Sequence, residues 1–106
     1  MTSKQLSVLW GEALTETDRD AYVSDWSNST LLVPPLPEEL GRIWDAAHRT
    51  VAEIRATTGL TQPAFAVRFC VPVRTLQNWE YRDGSCADYV RLLIQQQLGL
   101  APVPED

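Results

Sequence analysis

The sequence predicts an all-α fold, a compact helical bundle, on three observations. Residues 37–58 place Leu40, Ile43, Trp44, Ala47, Val51, Ile54 and Thr58 at unbroken 3–4 spacing, the mark of a helix with one buried face. Residues 59–82, GLTQPAFAVRFCVPVRTLQNWEYR, read as two short helices joined by a tight corner at Cys70-Val71-Pro72. Residues 88–98 then carry Tyr89, Val90, Leu93, Ile94 and Leu98 on a closing helix, with Asp88 in its first turn and Gly99 after its end.

Length and composition set the limits. A chain of 106 residues, 44% apolar and with four Trp, holds one domain with a modest core, or a small domain with an ordered arm. No apolar run approaches the roughly 18 residues that cross a bilayer. The first residues, MTSKQLSVLWGEAL, hold one Lys and an interrupted apolar pattern, so they are not expected to act as a signal peptide. Cys70 and Cys86 fit no zinc spacing and are expected as reduced thiols, with a disulfide as the alternative. No metal and no cofactor is expected.

The net charge of −5 is unevenly spread. Residues 1–41 hold two cations against seven acids. Residues 42–98 hold seven Arg against five acids, for a net +2, and Glu105 and Asp106 close the chain. An acidic front and a mildly basic body are compatible with nucleic-acid binding by the body alone.

Taken in order, residues 3–14 align Leu6, Leu9, Trp10, Ala13 and Leu14 on a helix, with Ser3 as its expected N-cap. Thr15-Glu16-Thr17-Asp18 begins a second short helix over residues 18–26, with Tyr22, Val23 and Trp26 on one side, and Ser27-Asn28-Ser29-Thr30 ends it. Leu31-Leu32-Val33-Pro34-Pro35-Leu36 is apolar but cannot be helical through its prolines, so it is expected to run extended. Residues 1–36 therefore read as an acidic, Trp-containing extension, residues 37–99 as the main domain, and residues 100–106 as a loose tail. One long helix is expected over residues 37–58, with Arg42, Asp45, Arg49 and Glu53 solvated, Arg49 and Glu53 forming an i,i+4 pair, and His48 an ordinary surface residue.

In residues 59–82, Thr61 is the expected N-cap of the first short helix, residues 62–69, which turns Phe65 and Phe69 inward beside the small Ala66. Val71 plugs the corner and Pro72 starts the second helix, residues 73–81, with Leu76 and Trp79 inward and Val73, Arg74, Gln77 and Asn78 outward.

This stretch, G-L-T-Q-x-x-F-A…V-P-x-R-T-L-Q-N-W-E, resembles the xenobiotic-response-element (XRE), or Cro-like phage-repressor, helix-turn-helix regulators, over roughly half the chain. The resemblance implies a lambda-repressor-like helix-turn-helix domain with motif residues 62–81. In it Phe65, Ala66, Phe69, Val71, Leu76 and Trp79 hold the two helices together. The DNA-reading positions fall on Val73, Arg74, Gln77 and Asn78, with Gln62, Pro72 and Arg82 toward the DNA backbone. The side-chain chemistry suits that role independently: Arg can fork to guanine O6 and N7, Gln and Asn can pair with adenine N6 and N7, and Val can meet a thymine methyl. Two positions depart from the family pattern. Cys70 stands where Gly usually takes a positive φ, at a cost of about 1 kcal/mol. Arg82 replaces the Gly that ends the second helix and Cys86 the Pro that follows, so that helix is expected to run a residue or two longer, ahead of an Asp83-Gly84 turn.

The function expected is sequence-specific binding of double-stranded DNA by a small transcriptional regulator, a repressor or an antitoxin-type autoregulator, in a bacterial or phage-type cytoplasm. A homodimer would set two recognition helices on half-sites about one helical turn apart. The aromatic residues Trp10, Tyr22 and Trp26 suggest a protein partner, such as a toxin, on the N-terminal extension; equally, they could pack back on Trp44. The surplus apolar surface of residues 88–98 would serve as a dimer contact. A protein-interaction module that keeps the fold without binding DNA remains the alternative, favoured by the net acidity. An enzyme is not expected: there is one His, no Gly-rich phosphate loop and no metal constellation.

Overall fold

The computed structural model describes residues 1–28, 36–82 and 84–106. It is all-α, a bundle of 45 × 28 × 20 Å, with seven helices among the described residues. These are α1 (Ser3–Thr15), α2 (Arg19–Ser27), α3 (Pro37–His48), α4 (Val51–Thr58), α5 (Gln62–Arg68), α6 (Val73–Tyr81) and α7 (Asp88–Gln97). The expected extended segment lies outside the described residues except for Leu36, the N-cap of α3.

Helix starts follow side-chain chemistry. Thr2, not Ser3, caps α1: its hydroxyl accepts from the Gln5 N–H while the Gln5 side chain accepts from the Thr2 N–H, a reciprocal capping box. Asp18 caps α2 by accepting from the Asp20 and Ala21 N–H groups.

The long helix expected over residues 37–58 is two helices. Arg49 is extended (φ −85°, ψ 127°), and Thr50 opens α4 with a second capping box, its hydroxyl accepting from the Glu53 N–H at 3.1 Å and Glu53 accepting from the Thr50 N–H at 3.0 Å. Those bonds hold the Glu53 carboxyl below its ordinary value. Glu53 is thus spent on the cap and does not pair with Arg49.

Breaking a helix strands the carbonyls of its last turn, and here α7 supplies the donors. The nearly buried Arg91 donates to the carbonyls of Ala47 at 3.0 Å, Arg49 at 2.9 Å and, more weakly, Ala46 at 3.4 Å. Gln95, 0% exposed, donates to the Ala46 carbonyl at 2.9 Å and accepts from Arg49 at 2.8 Å. A fully buried amide is costly unless both ends are bonded, and both are.

The break divides the interior into two cores. Leu6, Leu9, Trp10 and Ala13 of α1, Tyr22 of α2, and Leu40, Ile43, Ala46 and Ala47 of α3 form the first, joined by Ala101. Val51 and Ile54 of α4, Phe65 and Ala66 of α5, Leu76, Cys86 and Ile94 form the second. Helix α7 serves both, with Leu92 packed on the first and Ile94 in the second. A boundary at residues 36–37 is therefore misplaced: α1 and α2 share a core with α3, and the two cores part at Arg49-Thr50.

Polar ties fix α1–α3 further. The Tyr22 hydroxyl donates to the Leu9 carbonyl at 2.8 Å, and burial pushes that phenol well above its ordinary value. Trp44 Nε1 donates to the Glu16 carbonyl at 2.9 Å. His48, stacked on Trp44 at 4.0 Å, meets the Ala13 carbonyl at 2.7 Å through Nε2. His48 is exposed, as expected, but it secures the end of α1 rather than standing idle on the surface. Arg42 and Asp45, expected to be solvated, bond the Gly99 carbonyl and Arg19. Trp10 and Tyr22, offered as partner anchors, are core residues at 7% and 2% exposure, and Trp26 packs half-buried against them.

The last residues are not loose. Ala101 is buried, the Glu105 N–H donates to the Met1 carbonyl, and the Asp106 carboxylate accepts from the Ser3 hydroxyl and N–H at 2.7 and 3.0 Å.

If the Gln95 hub holds the break, Gln95→Leu should lower stability by about 2 kcal/mol, because it leaves the Arg49 guanidinium short of its buried acceptor. Urea unfolding measures this, and an unchanged midpoint would remove the hub from the account.

Candidate nucleic-acid interface

Helices α5 and α6 meet at a corner set by backbone hydrogen bonds. Thr61 caps α5, accepting from the Ala64 N–H. At the other end of α5 the Val71 N–H donates to the Ala66 carbonyl at 2.9 Å and the Cys70 N–H to the Val67 carbonyl at 3.2 Å, the paired bonds of a Schellman motif. The motif needs a left-handed residue at its centre, and Cys70 is there with φ 56°. The same pair of bonds ends α7 around Gly99, where glycine adopts φ 73° without side-chain strain.

The expected interlocking residues come together. Phe65, Ala66 and Leu76 are buried, and Phe69, Val71 and Trp79 pack half-buried against the same core. Phe65 and Phe69 tilt against each other at 4.6 Å, and the Arg68 guanidinium lies 5.0 Å from the Phe69 ring centre.

Helix α6 presents Arg74, Gln77 and Asn78 to solvent at i, i+3 and i+4, and their side chains make no hydrogen bond to another described residue. Val73 differs from expectation. It is half-buried and packed against the second core, because the first turn of α6 folds back over the corner. Pro72, exposed, is the N-cap of α6. Arg82, also exposed, is its C-cap. The two thus lie at opposite ends of the exposed face. The helix stops at Tyr81 and gains no extra residues: Arg82 is extended, and Ser85 closes the end by bonding the carbonyls of Arg82 and Asn78. Asp83, half of the expected turn, lies outside the described residues; Gly84 takes φ 87°.

The support behind α6 went unread in the sequence. Arg55 of α4 grips Glu80 with two hydrogen bonds, 2.7 and 2.9 Å, and also donates to the Leu60 carbonyl at 3.0 Å. The Glu80 side chain is only 10% exposed. Arg55, and after it Gln62, hold its carboxyl below the ordinary carboxylate range against the opposing effect of burial. Gln62, expected on the DNA backbone, is half-buried near the Glu80 carboxylate. A signal was present: Glu80 falls one turn after the inward Leu76, where a carboxylate needs a cation.

Electrostatically, residues 59–82 hold three Arg against Glu80, a net +2. With Glu80 taken by Arg55, the exposed Arg68, Arg74 and Arg82 make no ion pair with another described residue. The seven acids of residues 1–41 lie on α1, α2 and α3 or on their caps Glu16 and Asp18. Both cysteines are free thiols, Cys70 exposed and Cys86 buried. Among the described residues no group of three or more His, Cys, Asp or Glu is placed to hold a metal, and no helix is long and apolar enough to cross a membrane. No known protein family, curated protein or solved structure matches the chain.

Two outcomes follow from this geometry. Cys70→Gly should raise stability by about 1 kcal/mol, because glycine accepts the left-handed conformation, whereas Cys70→Ala should gain nothing. Equal unfolding midpoints for the two variants would contradict the strain.

The second concerns Glu80. Its pKa is depressed in the fold, so its contribution is complete above the unfolded carboxyl value of about 4.3 and is lost as pH falls through the lower folded value. Glu80→Gln should cost about 2 kcal/mol at neutral pH, with the gap to wild type closing below about pH 4. A gap that persisted at low pH would show that the ion pair is not its source.

Proposed function

We propose that the chain is a sequence-specific, double-stranded DNA-binding regulator, most simply a repressor, that lays α6 in the major groove. The observation that carries this is the stripe Arg74–Gln77–Asn78. Three side chains with the donors and acceptors that distinguish base edges stand exposed on a helix whose opposite side is buried and pinned. The Arg fork suits guanine, and the two amides suit adenine. Arg68 and Arg82 add exposed positive charge that neutralises phosphates, and Arg82 stands beside the end of the reading helix.

The resemblance to XRE-type regulators supports the same reading and adds a homodimer on paired half-sites in a bacterial or phage-type cytoplasm. In an antitoxin-type autoregulator, a protein partner would meet the acidic exterior of α1 and α2, since their aromatic residues are packed inside. Val73 contributes to seating α6 rather than to base contact, and Gln62 is half-buried at the start of α5.

The second reading, a protein-interaction module without DNA binding, is favoured by the net charge of −5 and by the half-burial of Gln62. Selection of retained duplexes from a random pool separates the two. The DNA reading expects one enriched site, on which Arg74→Ala weakens binding by about 1–3 kcal/mol and relaxes the preference for one base pair. Folded protein that enriches no site would leave the interaction module.

A further inference from the structure

A cavity of about 240 Å³ lies at the Arg49-Thr50 break. His48, Arg49 and Thr50 line it from the break, Asp88 and Arg91 from α7, and Gly84 from the turn before α7. Two guanidinium groups and an imidazole thus face one carboxylate. The space is smaller than the roughly 300–1,000 Å³ of pockets for drug-sized ligands, so it suits a small occupant.

The two arginines are not equally committed. Arg91 is spent on the carbonyls of Ala47 and Arg49 and on Asp88, to which it donates at 2.8 Å. Arg49 is not. Its side chain gives one hydrogen bond to a described residue, to the neutral Gln95 amide at 2.8 Å, and forms no ion pair with another described residue. Glu53, four residues on, is held by the α4 cap, and Arg49 is the smallest influence on its carboxyl. Arg49 is nonetheless half-buried. A guanidinium partly withdrawn from water without a counter-charge is costly, and an anion beside it offsets that cost. Next to it, the Thr50 hydroxyl accepts from the Glu53 N–H, which leaves its own proton to donate. Helix α4 starts there and adds the positive end of its dipole, while the opposing carbonyls that end α3 are already bonded by Arg91 and Gln95.

We propose that this cavity binds a small free oxyanion, a phosphate or a carboxylate, with the uncommitted N–H groups of Arg49 as its fork and the Thr50 hydroxyl as a second donor. The planar guanidinium matches two oxygens of such a group, whereas a cation would meet like charge. Asp88 opposes the ligand and keeps its affinity modest. Because the lining comes from α3, α4 and α7, an occupant joins the elements on both sides of the break, and binding to the folded chain alone stabilises it. The proposal does not rest on DNA binding and is tested without DNA.

Isothermal titration calorimetry of the full chain reads the site, with inorganic phosphate and, separately, malonate as probes and ionic strength held constant with sodium chloride. At least one probe is expected to bind one to one with a dissociation constant of about 1 mM or tighter, and which one binds identifies the oxyanion. Arg49→Gln, which keeps a donor for Gln95 but loses the charge, should weaken that binding at least about tenfold with an unchanged helical circular-dichroism spectrum. Asp88→Asn should tighten it severalfold, and this gain carries the test by itself if Arg49→Gln does not fold. Lys4→Gln, at an exposed cation of α1, should bind as wild type. No saturable binding of either probe up to about 10 mM overturns the proposal. So does binding that Arg49→Gln and Asp88→Asn leave unchanged, or that Lys4→Gln weakens as much as Arg49→Gln. Whether wild type retains a duplex is a separate reading, so either proposal can fail alone.

Discussion

The interaction on which the structure depends is the closure of the gap between α3 and α4 by two side chains of α7. Opening a helix at Arg49-Thr50 exposes carbonyls that would be expensive to bury unbonded. Arg91 and Gln95 take them up, and Arg49 returns a bond to Gln95. That exchange lets one continuous apolar stripe serve two cores. Residues of α3 face α1 and α2, while Val51 and Ile54 of α4 face α5 and α6. Arg91 also lies 5.9 Å from the Trp10 ring centre, so the same side chain touches the first core directly.

The exposed face of α6 follows from that arrangement. Helix α4 is the platform: Ile54 is buried beneath the α5–α6 corner, and Arg55 holds Glu80 at the far end of α6. Corner and ion pair restrain the helix at both ends, one through the Schellman bonds around Cys70 and the other through a bidentate pair. Under the proposed function such rigidity would help, because side chains held in one geometry discriminate base edges better than mobile ones. Strain at Cys70 is accepted at the corner where the chain must reverse, while charge near α6 is kept positive by hiding Glu80 against Arg55.

Most of the helices were legible because periodicity and caps agree. Tyr22 at 2% exposure and Leu40, Ile43 and Ile54 at or below 1% sit where the 3–4 spacing puts them. The corner was legible in finer detail, since a positive φ was expected at Cys70 and is found there. What escaped was the break at Arg49-Thr50. The apolar stripe continues across it in register, and periodicity cannot see a cap embedded in a stripe. Yet Thr50-Val51-Ala52-Glu53 is a capping-box pattern, and weighing it against the stripe would have divided the helix. Gln95 and the Arg55–Glu80 pair escaped for another reason: both join residues 25 or more apart in sequence, where local pattern carries no signal. For the candidate site the exposure of Arg74, Gln77 and Asn78 was foreseen. The inward packing of Val73 was not, because its position depends on how sharply the corner folds.

The proposed function makes α6 the surface that meets DNA. Backbone amide shift mapping by NMR, titrating a duplex enriched from a random pool, tests it most directly. Perturbations are expected to concentrate at Arg74, Gln77, Asn78 and Arg82, with the amides of α1 and α2 unmoved. Shifts confined to the first core's helices, or saturating binding with α6 unperturbed, would contradict it.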